Sequence, residues 1–176
     1  MSRLAVDKIV GANTESIVDL SSISNLKMPA GAVLQTQQTI LSTAESIDST
    51  SFTNSSVTVN ITPKFSTSKI RVTIMGFFGM NFWHASPYIR LNRDSTTISN
   101  NEIAIWPRVQ YDSTRDSESS STCVMDILDS PSTTSQITYT LQFRTSHSSY
   151  PVLVNRRNAS TDAMAQFTIT VQEIAQ

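Results

Sequence analysis

Short runs of alternating apolar and polar residues constrain the fold of this chain more than any other feature. Valine or isoleucine occupies every second position in 57–61 and again in 70–74. Alternation with period two is typical of a half-buried β-strand, because successive side chains point to opposite faces. Similar short runs recur to the end of the chain. The runs that predict strands are 33–40, 57–61, 70–74, 88–91, 97–98, 103–106, 124–128, 137–143, 152–155 and 167–174.

The segments between these runs are rich in turn-forming residues. The strand that begins at Ile70 is expected to end at Gly76, and 112–122 contains no apolar residue and predicts a surface loop that tolerates substitution. No apolar stripe of helical period extends beyond two turns. The sequence therefore predicts an all-β fold, an antiparallel β-sandwich of about eight strands with a jelly-roll-like arrangement.

The first 30 residues differ from the rest of the chain. Their apolar residues are too sparse to close a core alone, so this segment is expected to stay extended or to order by packing on a partner. A Pro-Ala-Gly turn at 29–31 ends it, and residues 31–176 form the predicted head domain. The residues expected to dock on the partner are Leu4, Val6, Ile9, Ile17 and Leu20.

Composition and charge exclude several classes of protein. Serine and threonine make up 50 of the 176 residues, which suits a surface-rich β fold, and the net charge of −1 leaves no basic stripe for nucleic acid. The one cysteine, Cys123, cannot form an internal disulfide and is expected to be a small buried residue. The first residues have no apolar core typical of a signal peptide, and no apolar stretch predicts membrane insertion.

Residues that could carry catalysis or hold a metal are few. The two histidines, His84 and His147, have no second ligand at metal-binding spacing, and no Gly-x-Ser-x-Gly motif is present. Carboxylates cluster loosely in 112–118 and at Asp126 and Asp129, a pattern that does not establish the fixed pair of a glycoside hydrolase. We expect no enzyme activity, no metal and no cofactor.

Aromatic residues are concentrated in 77–88, with one more at Trp106. Such side chains bury large areas in cores and subunit contacts, and they also form ligand platforms. The run 77–83 is expected to be largely buried. The candidate receptor or interface residues are Phe82, Trp83, His84 and Trp106.

Several stretches in a particular order resemble a known group of proteins. They are Lys27-Met28-Pro29-Ala30-Gly31-Ala32-Val33-Leu34-Gln35, Val59-Asn60-Ile61-Thr62-Pro63, Ser66-Thr67-Ser68-Lys69-Ile70-Arg71-Val72, Leu128-Asp129-Ser130-Pro131-Ser132-Thr133-Thr134-Ser135-Gln136-Ile137-Thr138-Tyr139, and Val154-Asn155-Arg156 before Val171-Gln172-Glu173-Ile174. Their shared order resembles the C-terminal domains of tail-fibre and other virion proteins of bacteriophages from aquatic bacteria, cyanophages among them. The lead 4–11 is similar to the attachment start of such fibres.

The resemblance implies a non-enzymatic virion protein, made in the host cytoplasm, with a β-sandwich head that is commonly trimeric. Its N-terminal segment would attach to other virion proteins of the tail or capsid, and its head would face a host surface glycan or protein. Because no long shaft separates lead and head, a short tail fibre, a fibre tip or a capsid decoration protein fits the length better than a long fibre, and of these we expect a short tail fibre or a fibre tip. Two alternatives stay open: a capsid decoration or cement protein, and a carbohydrate-active enzyme on a β-sandwich.

Overall fold

The computed structural model describes residues 28–80, 86–99, 103–104, 119–156 and 165–176. Within these ranges the chain forms eleven β-strands, and every strand pair is antiparallel. The strands are β1 (Val33–Leu41), β2 (Glu45–Ile47), β3 (Thr53–Ile61), β4 (Lys69–Met80), β5 (Pro87–Arg93), β6 (Thr96–Thr97), β7 (Ile103–Ala104), β8 (Ser119–Asp129), β9 (Ile137–Thr145), β10 (Val152–Val154) and β11 (Phe167–Ile174).

These strands form two sheets. The first sheet has the order β1-β11-β4-β10-β2, and β8 pairs with the opposite edge of β4. The second sheet has the order β3-β9-β5-β6, and β7 also pairs with β5. The chain crosses repeatedly from one sheet to the other, which is the connectivity of a sandwich. The prediction of an all-β antiparallel β-sandwich is confirmed.

The core lies between the inner faces of the two sheets. Every second residue of β9 and of β11 is buried, as the alternation in their sequences predicts. Phe143 of the second sheet meets Phe167 of the first in an edge-to-face contact, with ring centroids 5.8 Å apart. Cys123 is buried among these residues, as predicted. The largest fully buried side chains include Tyr139, Phe78, Phe143, Phe167, Ile70, Ile74, Ile89, Leu91, Leu141 and Ile169.

The prediction that the strand from Ile70 ends at Gly76 is wrong, because β4 continues to Met80. Gly76 lies within the strand where the ring of Phe167 occupies the position that a Cβ atom would take. Glycine here serves close packing rather than a turn. Phe78 and Met80 beyond it are fully buried and Phe77 is half-buried, while positions 81–83 of the predicted buried run lie outside the described residues.

The prediction of a loop over 112–122 is also wrong in its last part. Residues 119–122 belong to β8 and pair with 77–80 of β4, while 112–118 lie outside the described residues. Serine and threonine side chains do not prevent this pairing, because the ladder is made by backbone groups and threonine favours strands. A period-two pattern requires apolar residues on one face, and residues 119–122 include none, so no alternation marks this part of the strand.

A buried asparagine forms hydrogen bonds with the short segment that connects β1 and β2. The predicted strand 152–155 ends at Val154, and Asn155 is fully buried with a φ of 59°. Its side-chain Nδ2 donates to the carbonyls of Leu41 and Thr43, at 2.7 and 2.9 Å, which lie at the gap. Its backbone N–H donates to the carbonyl of Phe77. Strand β2, absent from the prediction, has three residues and is too short to show alternation.

Within the described residues no helix is long and apolar enough to span a membrane.

Candidate functional site

The candidate residues selected from the sequence all lie outside the described residues. They are Phe82, Trp83, His84 and Trp106, proposed for a receptor or interface, and Leu4, Val6, Ile9, Ile17 and Leu20, proposed for particle docking. The described strands that adjoin the first group in sequence are β5, which begins three residues after His84, and β7, which ends two residues before Trp106. These two strands pair at Tyr88 and Ala104.

The outer face of the second sheet carries a cluster that the sequence reading missed. Its members are Phe52, Tyr88, Arg90, Gln142 and Arg144, which we call the arginine platform. Period-two alternation places Tyr88 and Arg90 of β5 on the face opposite the buried Ile89, and the β5–β9 register sets Arg144 beside Tyr88 and Gln142 beside Arg90. All five side chains are half-buried.

Both guanidinium groups of the platform lie over aromatic rings. The guanidinium carbon of Arg90 lies 4.1 Å from the ring centroid of Phe52, and that of Arg144 lies 3.7 Å from the centroid of Tyr88. Arg144 also lies 5.3 Å from the Phe52 centroid. A guanidinium group over an aromatic ring is attracted by the electron-rich face of that ring. These contacts therefore anchor both arginine side chains to aromatic residues of the same face.

Hydrogen bonds extend the platform across three strands. Arg90 Nε donates to Gln142 Oε1 at 2.6 Å, and Gln142 Nε2 donates to Asn54 Oδ1 at 2.5 Å. Two residues from Gln142 along β9, on the same face, the hydroxyl of Thr140 lies 3.2 Å from the hydroxyl of Thr58 on β3. This face of the second sheet therefore carries a connected row of amides and hydroxyls beside two guanidinium groups.

The outer face of the first sheet is different, because large apolar side chains lie exposed on it. Ile40, Met75, Val124 and Leu128 have exposed fractions between 51% and 66%, and we call these four residues the apolar face. The register aligns Ile40 with Thr168, Thr168 with Met75, and Met75 with Val124, so one row crosses four strands. Exposed apolar groups gathered on one sheet face mark a contact surface.

A shallow depression of about 720 Å³ lies on the same side of the first sheet. Met75, Phe77 and Val124 line it together with Thr168 and Ala165. Beside it, Arg71 forms an exposed ion pair with Asp126, with Nη2 and Oδ2 2.5 Å apart. Hydrogen bonding to Arg71 holds the pKa of Asp126 below its ordinary value. The charges next to the apolar face are thus mutually neutralised.

The second carboxylate of the predicted cluster, Asp129, lies on the inner face of β8. Both of its oxygens accept hydrogen bonds from Arg93 Nη1 at 2.8 Å, and Oδ2 also accepts from the hydroxyl of Tyr139 at 2.7 Å. Burial raises the pKa of the Tyr139 phenol, and the hydrogen bond to Asp129 adds to the rise. Asp129 thus joins the two sheets, whereas Asp126 faces solvent on the opposite side of the strand.

The remaining described side chains that could react or bind a metal have structural roles. Burial raises the pKa of the Cys123 thiol to about 12, which keeps it protonated and unreactive at neutral pH. His147 stacks obliquely on Tyr150 in the loop after β9, with centroids 5.0 Å apart. In the part of the chain that the structure describes, no three His, Cys, Asp or Glu residues gather as metal ligands.

No protein-family model matches the sequence, and no curated protein matches it significantly.

Proposed function

We propose that this protein is a non-enzymatic structural component of a virus particle, a short tail fibre or fibre tip that works as a homotrimer. Residues 1–30 dock on other virion proteins, and the β-sandwich head faces the host surface. The apolar face of the first sheet is the observation that carries the proposal. The order of the sequence stretches that resemble phage tail-fibre domains is the reason for proposing a virus particle.

The apolar face supports assembly because burial of exposed apolar side chains in a subunit contact lowers the free energy. Burying a side chain of the size of Met75 or Val124 contributes about 1.5–3 kcal/mol. The aligned row of Ile40, Met75 and Val124 runs across the sheet, so a flat surface of a second copy can contact all three at once. The ion pair of Arg71 and Asp126 is exposed beside this row and fits the polar rim of an interface.

The carboxylates support a structural rather than a catalytic reading. Asp126 is paired with Arg71, and Asp129 with Arg93 and Tyr139. Glu173 accepts hydrogen bonds from Gln35 and from backbone N–H groups. A hydrolase of the paired-carboxylate type needs both groups free to reach a substrate. These three carboxylates instead connect strands and loops.

The test is the oligomeric state of the purified full-length chain. Light scattering coupled to size-exclusion chromatography at micromolar concentration is expected to give a trimer for the wild type. Met75→Glu places a charge in the middle of the apolar row and is expected to yield monomers that keep the β-type circular dichroism spectrum. A monomeric wild type, or a Met75→Glu variant that is as trimeric as the wild type, would contradict the proposal.

Phe65→Glu is the matched control for this experiment. Phe65 is 47% exposed, close to the 57% of Met75, but it lies in the turn between β3 and β4 rather than on the apolar face. The same change of apolar side chain to carboxylate should leave the trimer intact there. Dissociation by both variants would show that added negative charge, and not the apolar face, controls assembly.

A further inference from the structure

We infer that residues 17–26 of the lead lie on the apolar face of their own chain and fill its depression. The inference rests on the proposed function only for its setting, in which the apolar face lies between copies. It adds which segment covers the depression within that contact. Leu20 then packs on the head, and the other four residues expected to dock on the particle stay available for that contact.

The reach of the lead from Met28 brings its second half to the depression. Met28 lies next to the turn that precedes β1, which is closed by a hydrogen bond from the N–H of Ala32 to the carbonyl of Pro29. The apolar row crosses β1 at Ile40, about seven residues or roughly 23 Å along the strand. The depression lies two strands farther in, about 10 Å across the sheet. The diagonal is roughly 25 Å, the span of about eight extended residues, and the eighth residue before Met28 is Leu20.

The composition of 17–26 matches the lining of the depression. The segment has five apolar residues, and its single charged residue is Asp19. The apolar side chains of Met75, Phe77 and Val124 line the depression together with threonines and glutamines, and none of the described residues that line it carries a charge. The serines and the asparagine of the segment can hydrogen-bond to those threonines and glutamines, while its apolar residues are removed from water.

Alternation along 17–20 decides which side chains pack on the head. In an extended chain Val18 and Leu20 point to one side, and Ile17 and Asp19 point to the other. The apolar pair therefore faces the depression, and the side that carries the charge faces away from it. Attachment to the same head keeps the effective concentration of the segment high, which favours the lead of the same chain over that of another copy.

The experiment places the photoreactive amino acid p-benzoylphenylalanine at Thr168, which lines the depression in the middle of the apolar row. Full-length copies with the probe are refolded together with probe-free copies that carry a heavy nitrogen isotope, so mass spectrometry distinguishes cross-links within one copy from those between copies. We expect cross-links from Thr168 to 17–26 of the same copy. Thr140, also a half-buried threonine but on the outer face of the second sheet, is the matched control and should give none. If the probe at Thr168 disturbs the circular dichroism spectrum, Gln38 lines the same depression from β1 and takes its place.

Substitutions in the lead test the contact from the other side. Val18→Ser combined with Leu20→Ser should abolish the cross-link from Thr168, because the segment loses both side chains that pack in the depression. Leu4→Ser combined with Val6→Ser is the matched control, with the same two residue types at the same spacing. This control pair should leave the cross-link unchanged.

Four results would overturn the inference. They are no cross-link from Thr168 to 17–26, cross-links to the lead of another copy, equal cross-links from Thr140, and equal loss of the cross-link in the control pair. Light scattering on the same samples separates this test from that of assembly. A monomeric wild type with cross-links to its own lead would refute the trimer and keep the inference, and a trimer without them would do the reverse.

Discussion

Glu173 provides the sharpest test of how the sandwich is held at one edge. Glu173 is fully buried although its side chain carries a carboxylate. Oε2 accepts a hydrogen bond from Gln35 Nε2 at 2.6 Å, and Oε1 accepts from the backbone N–H of Lys64 at 2.8 Å and of Phe65 at 3.2 Å. Gln35 also donates to the carbonyl of Thr62. The carboxylate thereby joins β1 and β11 of the first sheet to the turn that leaves β3 of the second.

Glu173→Gln keeps the shape of the side chain and removes one acceptor. An amide cannot accept at both positions, so its NH₂ group must face either the backbone donors of 64–65 or the amide of Gln35. Rotating the Gln35 amide to relieve this conflict would break its hydrogen bond to Thr62. At least one hydrogen bond to a charged group is lost, which costs about 1.5–3 kcal/mol of unfolding free energy at pH 7.

Glu45→Gln is the control, because both oxygens of Glu45 accept from a single donor, the backbone N–H of Ser56. An amide oxygen can replace them, and the unfolding free energy should change little. Urea denaturation at fixed protein concentration, followed by far-ultraviolet circular dichroism, gives both values. If Glu173→Gln lowers the unfolding free energy no more than Glu45→Gln does, the Glu173 carboxylate does not stabilise the contact of β1 and β11 with the turn after β3.

The pH dependence adds a second check on Glu173. Burial opposes its ionisation, but the hydrogen bonds from Gln35, Lys64 and Phe65 outweigh that effect and hold the pKa of Glu173 below its ordinary value of 4.5. A lowered pKa in the folded chain means that this stabilisation is complete above the unfolded pKa and is lost as the pH falls through the folded pKa. The stability difference between the wild type and Glu173→Gln should therefore shrink from pH 6 to pH 3. A constant difference would refute this assignment.

We expect three further outcomes, of which the first two rest on the structure and the third on the proposed function. Phe143→Ala removes the fully buried partner of Phe167 and should cost about 3–5 kcal/mol in urea denaturation, whereas Phe65→Ala, at an exposed position, should cost much less. Cys123 should react with a thiol reagent at pH 8 only when denaturant is added, and rapid labelling of the folded protein would contradict its burial. Deleting 1–27 should leave the β-type circular dichroism spectrum and abolish incorporation into particles, and loss of that spectrum would show that the lead belongs to the fold.

The sequence predicted the sandwich where alternation was regular. β9 and β11 bury every second residue, as β3 does from Ser55 onward, and β9 and β11 lie close to their expected bounds. Period two is visible wherever one strand face is apolar and the other polar. The pattern fails where a strand has no apolar face, as in 119–122, or has three residues, as in β2. It also fails at Gly76, which is a turn signal in sequence but a packing position in the sheet.

The candidate sites were less predictable than the fold. Arg90 and Arg144 lie on different strands, and only the register of β5 against β9 sets Arg144 beside Tyr88 and Gln142 beside Arg90. Their positions opposite buried residues were visible as alternation, but their contacts with the rings of Phe52 and Tyr88 depend on tertiary structure. The apolar face likewise combines residues from β1, β4 and β8, which the sequence alone cannot align.

The location of the protein on an intact particle tests the central proposal most directly. Antibodies raised against the purified chain, coupled to gold, would be applied to particles of the virus whose genome encodes it and viewed by electron microscopy. We expect label at the end of the tail, with none on particles of a deletion mutant that lacks the gene. Label spread over the capsid would favour a decoration protein, and no label on detergent-opened particles would contradict a virion role.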